Sequence, residues 1–120
     1  MTKLGAIAMV VFCTVITSAG QIMWKFGALR LPEVFTNWPM IGGFLLHIIA
    51  AGILISSFKD GEVSVLFPMY ATNYVWVSLL SFVYFAEPLN AFKWAGMTAV
   101  IIGVILLGTG AHKHAEVVTP

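Results

Sequence analysis

The sequence predicts an all-α integral membrane protein, a four-transmembrane-helix bundle with short loops, expected to work as a dimer. Three observations predict it. Apolar residues make up 60% of the 120 and charged residues only 9%, whereas about a quarter of an ordinary soluble domain is charged. Four apolar runs, at about 4–29, 38–58, 63–85 and 91–111, each reach the roughly 20 residues that a bilayer core demands. The connections, 30–37, 59–62 and 86–90, are too short to hold another domain. Residues 112–120 read as a short flexible C-terminal tail, and His112 and His114 there as a solvated terminus rather than a metal site.

Several function classes drop out at this level. A net charge of +1 supplies no basic field, so nucleic acid is not an expected partner; membrane lipids are. Cys13 stands alone, which excludes an intrachain disulfide and a thiolate metal site. There is no Gly-rich phosphate loop, no GxSxG and no pair of carboxylates sharing a plausible site. No catalytic residue, metal or cofactor is expected, and the chain reads as a non-enzyme.

The first run starts behind Lys3 and reaches small residues at Ser18, Ala19 and Gly20, which mimics a signal peptide. It continues apolar to Phe26 and three more runs follow, so it is read as the first crossing. A helix advances about 100° per residue, which puts Thr14, Thr17, Ser18, Gln21 and Lys25 on one face. Val15, Ile16, Ile22, Met23 and Phe26 occupy the other. A lysine-bearing polar stripe is costly at membrane depth and is a functional candidate for that reason. The alternative is that Lys25 snorkels to the headgroups while the hydroxyls bond their own backbone.

In the second run Gly43, His47 and Ala51 are spaced four apart, so the histidine shares a face with small residues and is expected to point into the bundle, neutral and bonded to a neighbouring helix. The third run holds Pro68, placed to start or kink the helix, then Tyr70, Asn73 and Tyr74 within about one turn. An amide in lipid needs a partner, so Asn73 is expected to face the bundle or a cavity. In the fourth run Gly96 and Gly103 are seven apart and align on one face, which permits close helix contact. Four helices enclose little volume alone, so pairing is the natural way to build a cavity. With four crossings, Lys3, Lys59 and Lys113 fall on one side against Arg30, Lys93 and Lys25, so charge alone does not set the orientation.

The segments Ala19-Gly20-Gln21 with Lys25, Phe67-Pro68-Met69, Asn73-Tyr74-Val75-Trp76-Val77, Glu87-Pro88, Lys93-Trp94, Gly96 and Ile102-Gly103 resemble the small multidrug resistance (drug/metabolite transporter) superfamily. Within it the chain is most similar to the subunits that flip aminoarabinose-phosphoundecaprenol. The resemblance implies a homodimer, or a heterodimer with a paralogous subunit, joined at the fourth helices through Gly96 and Gly103. It implies that the first three helices line the path, with both termini cytoplasmic in a bacterial or archaeal inner membrane. The drug-exporting branch carries a glutamate in the first helix where this chain has Thr17, so a cation meets no counter-charge there. Gln21, Lys25 and Glu87 match the lipid-flipping branch.

The resulting expectation is a transporter subunit that flips a polyprenyl-phosphate-linked sugar, or a similar anionic amphiphile, by alternating access. Its substrate-binding residues would be Lys25, Gln21, Ser18, Thr17, Thr14, Asn73, Tyr70, Tyr74 and Glu87. Lys25 would pair with Glu87 at rest or take the lipid phosphate. Two alternatives remain open: an exporter of a small polar metabolite or cation, and a non-transporting accessory subunit of a membrane enzyme complex.

Overall fold

The structure, a computed structural model, describes residues 3–118, with side chains described through residue 110. His112 and His114 lie outside the described side chains. Helices follow one another as α1 (Leu4–Ala28), α2 (Trp38–Ser57), α3 (Val63–Met69), α4 (Asn73–Phe85) and α5 (Ala91–Val118). A 3₁₀ turn at Phe58–Asp60 ends the second crossing, and another at Tyr70–Thr72 joins α3 to α4. Four stretches are long and apolar enough to cross a membrane: Leu4–Ala28, Trp38–Asp60, Val63–Phe85 and Ala91–Gly110. The chain is a multi-pass membrane protein with the four crossings its apolar runs predicted. Backbone helix in α5 continues past the expected boundary at Ala111.

Local chemistry explains the breaks. Asn37 is fully buried between α1 and α2. Its amide nitrogen donates to the Gly27 carbonyl at 2.7 Å and to the Glu33 carbonyl at 3.0 Å, while its oxygen accepts from the Met40 amide and caps α2. Pro39 follows in the first turn, where its missing donor costs nothing. Pro68 sits inside α3, cannot donate to the carbonyl four residues back, and is followed by the tighter turn at Tyr70–Thr72. At the end of α4 the chain reverses through Ala86, whose φ of 53° is left-handed. Asn90 then accepts the Lys93 amide at 2.9 Å and caps the start of α5.

The α1 to α2 contact is the tightest in the molecule because glycines meet across it. A Cβ on Gly43 would lie 2.9 Å from the Gly20 carbonyl oxygen, and one on Gly27 would lie 2.7 Å from the Met40 Cβ. His47 does lie on this face, yet its Nδ1 is 2.7 Å from its own helix's Gly43 carbonyl rather than bonded to a neighbouring helix. The ring instead stacks on Trp24 of α1, centroids 3.8 Å apart and nearly parallel. The small residues around it leave room for a flat stack and no cross-helix acceptor.

The main apolar core gathers Ala6, Val10, Val65, Leu66 and Met69, with Leu54, Val104 and Leu107 packed against it. These come from the start of α1, the end of α2, α3 and the distal half of α5, so the bundle is closed at one end. At that same end Lys3 donates its backbone amide to the Asp60 carbonyl at 2.8 Å and pairs with its carboxylate at 3.4 Å. At the other end α5 packs loosely. Met97 is its one buried apolar residue among those described, and Phe92, Trp94, Ile101 and Ile102 are exposed.

Candidate functional site

The polar face of α1 meets the third crossing residue by residue. Thr14, Thr17 and Ser18 are each at most 1% exposed, and Asn73 is 5% exposed. Tyr70 donates its hydroxyl to Thr17 Oγ1 at 2.9 Å, and the Trp76 indole donates to Thr14 Oγ1 at 3.1 Å. Ser18 Oγ lies 2.7 Å from Asn73 Oδ1 and 2.8 Å from the Thr14 carbonyl, its single proton serving one acceptor at a time. Tyr70, Asn73 and Trp76 recur every three residues, so one side of the crossing supplies all three partners. An unpaired hydroxyl or amide in this surrounding would be costly, and each of these four side chains makes at least one hydrogen bond.

Trp76 was missing from the expected site. Its spacing from Tyr70 and Asn73 is the signal that places it there. Tyr74 behaves otherwise: one residue beyond Asn73 is about 100° around the helix, and its ring stands 63% exposed, away from the seam. Gln21 continues the stripe one turn above Thr17. It is half-buried, and its amide has no hydrogen-bond partner among the described residues.

Above Gln21 the stripe ends at Lys25, whose ammonium hydrogen-bonds and ion-pairs with Glu87 Oε1. Both side chains remain accessible, 45% and 39% exposed. The hydrogen bond from Lys25 holds the Glu87 carboxyl below the usual carboxylate range; partial desolvation opposes this, and the charges of Lys25 and Lys93 reinforce it. The Lys25 ammonium also sits 4.5 Å from the centroid of the Phe85 ring, a cation–π contact, and Phe26 packs on the same ring at 4.9 Å. Phe26 then lines an apolar groove of about 330 Å³ with Ala19, Ile22, Leu80 and Tyr84. The charged pair is thus linked through the Phe85 and Phe26 rings to an apolar groove between α1 and α4.

Gly96 and Gly103 are not part of this site. A Cβ built on either meets nothing within 4 Å, so the Gly96 and Gly103 face of α5 is unpartnered among the described residues. Among the described residues no group of three His, Cys, Asp or Glu side chains could hold a metal ion.

Known proteins with similar sequences fit this picture. The chain is 28% identical over 106 residues to a probable 4-amino-4-deoxy-L-arabinose-phosphoundecaprenol flippase subunit ArnE of Klebsiella pneumoniae, covering 82% of this chain and 92% of that protein. It is 27% identical over 119 residues to the probable magnesium transporter NIPA9 of Arabidopsis thaliana, covering 91% of this chain but only 35% of that longer protein. It is 29% identical over 98 residues to the uncharacterized protein y4nH of Sinorhizobium fredii, covering 76% and 84% respectively. These homologues are consistent with the small drug/metabolite transporter superfamily that the sequence motifs resemble. No protein-family profile and no solved structure matches the chain.

Proposed function

We propose that the chain is a subunit of a membrane transporter that flips the head group of a polyprenyl-phosphate-linked sugar, or a similar anionic amphiphile, by alternating access in a bacterial or archaeal inner membrane. The observation that carries this reading is the Lys25 and Glu87 pair, joined through Phe85 and Phe26 to the apolar groove. Glu87 occupies the ammonium as a phosphate would, and an arriving phosphate that displaces it releases the Glu87 carboxylate, 39% exposed, to solvent and to the field of Lys93. The apolar chain then lies along Ala19, Ile22, Phe26, Leu80 and Tyr84, open to lipid. Gln21, unpartnered and next in line, supplies the first neutral hydrogen bond to a sugar.

Beyond Gln21 the path is sealed by the seam of Thr14, Thr17 and Ser18 against Tyr70, Asn73 and Trp76. Passage requires those bonds to be traded for bonds to the ligand, an exchange close to neutral in number. The closed end around Leu66 and the looser end around Lys25 correspond to one side shut and the other open. We infer that a second copy, or a paralogous chain, covers the glycine face of α5 and completes the passage. Export of a metabolic cation is less well supported. The acidic residues are Glu33, Asp60, Glu62, Glu87 and Glu116, and none lies in the middle of a crossing.

Native mass spectrometry of the full chain in nanodiscs tests the reading. A short polyprenyl phosphate should remain bound where the matching polyprenol does not, and Lys25→Gln should lose it. Equal retention of phosphate and alcohol, or an unaffected Lys25→Gln, would remove the proposal's basis.

A further inference from the structure

A second recess opens on the far side of Glu87. It has a volume of about 210 Å³ and is lined by Val77, Ser78 and Ser81 of α4, Glu87 and Leu89 of the connection, and Lys93 of α5. We propose that this recess is a separate anion site, built to hold a phosphate group through Lys93 and Ser81.

Donor bookkeeping supports the assignment. Lys93 forms no ion pair among the described residues. Its ammonium donates to the Pro88 carbonyl at 2.8 Å, which leaves two N–H groups unused. The Ser81 hydroxyl has no partner among the described residues and adds a third donor. Ser78 has already given its proton to the Tyr74 carbonyl at 2.7 Å, so it offers only an acceptor. Three free donors lining one recess, one from α4 and two from α5, are as many as the terminal oxygens of a phosphate monoester.

Charge points the same way. Glu87 is already matched by Lys25, so the cluster of Lys25, Glu87 and Lys93 carries one net positive charge. A phosphate monoester, at about −1.5 to −2, neutralises this and over-balances it by at most about one charge, whereas a cation would double the excess. Size and depth then narrow the ligand. Small-molecule pockets that enclose a whole drug-sized ligand run from about 300 Å³ upward, so this recess takes a head group and not a complete amphiphile. It spans the end of Val63–Phe85 and the start of Ala91–Gly110, the level at which a lipid phosphate lies. Val77 and Leu89 supply the apolar wall against which a tail would leave. The shared chemistry is a phosphate, borne by a membrane amphiphile or free.

The test uses full-length protein in zwitterionic micelles, with inorganic phosphate and octyl phosphate as probes and ³¹P NMR line broadening as readout. Lys93→Gln should weaken binding at least about tenfold, the loss of a charge-assisted hydrogen bond. Ser81→Ala should cost about fivefold. Lys93→Arg should retain binding, and in a Lys25→Gln background Glu87→Gln should tighten it by removing the one like charge, a gain that a merely structural role would not produce. Preference for octyl phosphate assigns the site to an amphiphile; equal binding assigns it to free phosphate. Indifference to both Lys93→Gln and Ser81→Ala, or weaker binding on Glu87→Gln in that background, would overturn the proposal. Because the Glu87→Gln comparison is made with Lys25 already replaced, failure of the prenyl-phosphate experiment above would leave this result standing.

Discussion

The seam between α1 and the third crossing makes a quantitative demand at Ser18 and Asn73. Replacing Ser18 by Ala leaves the Asn73 carbonyl oxygen, on a residue only 5% exposed, without its donor at 2.7 Å. Stranding a buried acceptor costs about 1–3 kcal/mol. Replacing Asn73 by Leu is milder, because Ser18 keeps the Thr14 carbonyl at 2.8 Å and no buried acceptor is stranded; the net loss is about 0.5–1.5 kcal/mol. In the double variant the stranded acceptor no longer exists, so the two costs do not add. Hydrogen bonds between membrane helices couple by about 0.6 kcal/mol on average and up to about 1.7. A double-mutant cycle, read from unfolding of the full chain in mixed micelles, should give a coupling within that interval. Costs that add within about 0.3 kcal/mol would mean the two side chains do not interact and the seam is not a seam.

Three further outcomes follow from single positions. Gly43→Ala should destabilise the fold by about 1–3 kcal/mol, because the new methyl runs into the Trp24 indole that stacks on His47 and then into the Gly20 carbonyl at 2.9 Å, which can move only if α1 moves; thermal unfolding in micelles measures it. Ala86→Gly should stabilise by about 1 kcal/mol and Ala86→Val should do the reverse, since φ is 53° there. For the ion pair, the folded Glu87 carboxyl titrates below its unfolded value. Its contribution is therefore complete above the ordinary carboxylate pKa and is lost as pH falls through the lowered one. A ¹³C NMR titration should find Glu87 moving up toward the ordinary range in Lys25→Gln, with no movement meaning that Lys25 is not its partner.

Much of this was legible in the chain itself. Membrane helices must satisfy their own backbone, so a run of about 20 apolar residues leaves little choice of element, and the four crossings follow. The pairing of Lys25 with Glu87 was anticipated from two segments ending on one side of the membrane. What periodicity could not supply was the partner across a gap. It placed Thr14, Thr17 and Ser18 on one face, but whether that face met water, ligand or Tyr70, Asn73 and Trp76 depends on how the third crossing is rotated. That rotation is reset at Pro68 and the 3₁₀ turn after it, which advances each residue by about 120° instead of 100°. Tyr74 was expected in the site and faces away from the seam, because it follows Asn73 by about 100° within α4. His47 shows a similar limit: small neighbours predicted its face correctly, yet stacking on Trp24 displaced the expected cross-helix hydrogen bond.

The central claim is that Lys25 receives the anionic head of an amphiphile whose tail stays in the cleft beside it. Head-group translocation in proteoliposomes measures it most directly, using a fluorescent polyprenyl-phosphate sugar and a membrane-impermeant quencher. Wild-type protein should transfer the label between leaflets, and Lys25→Gln, folded and assembled as before, should not. Equal transfer by both would contradict the account.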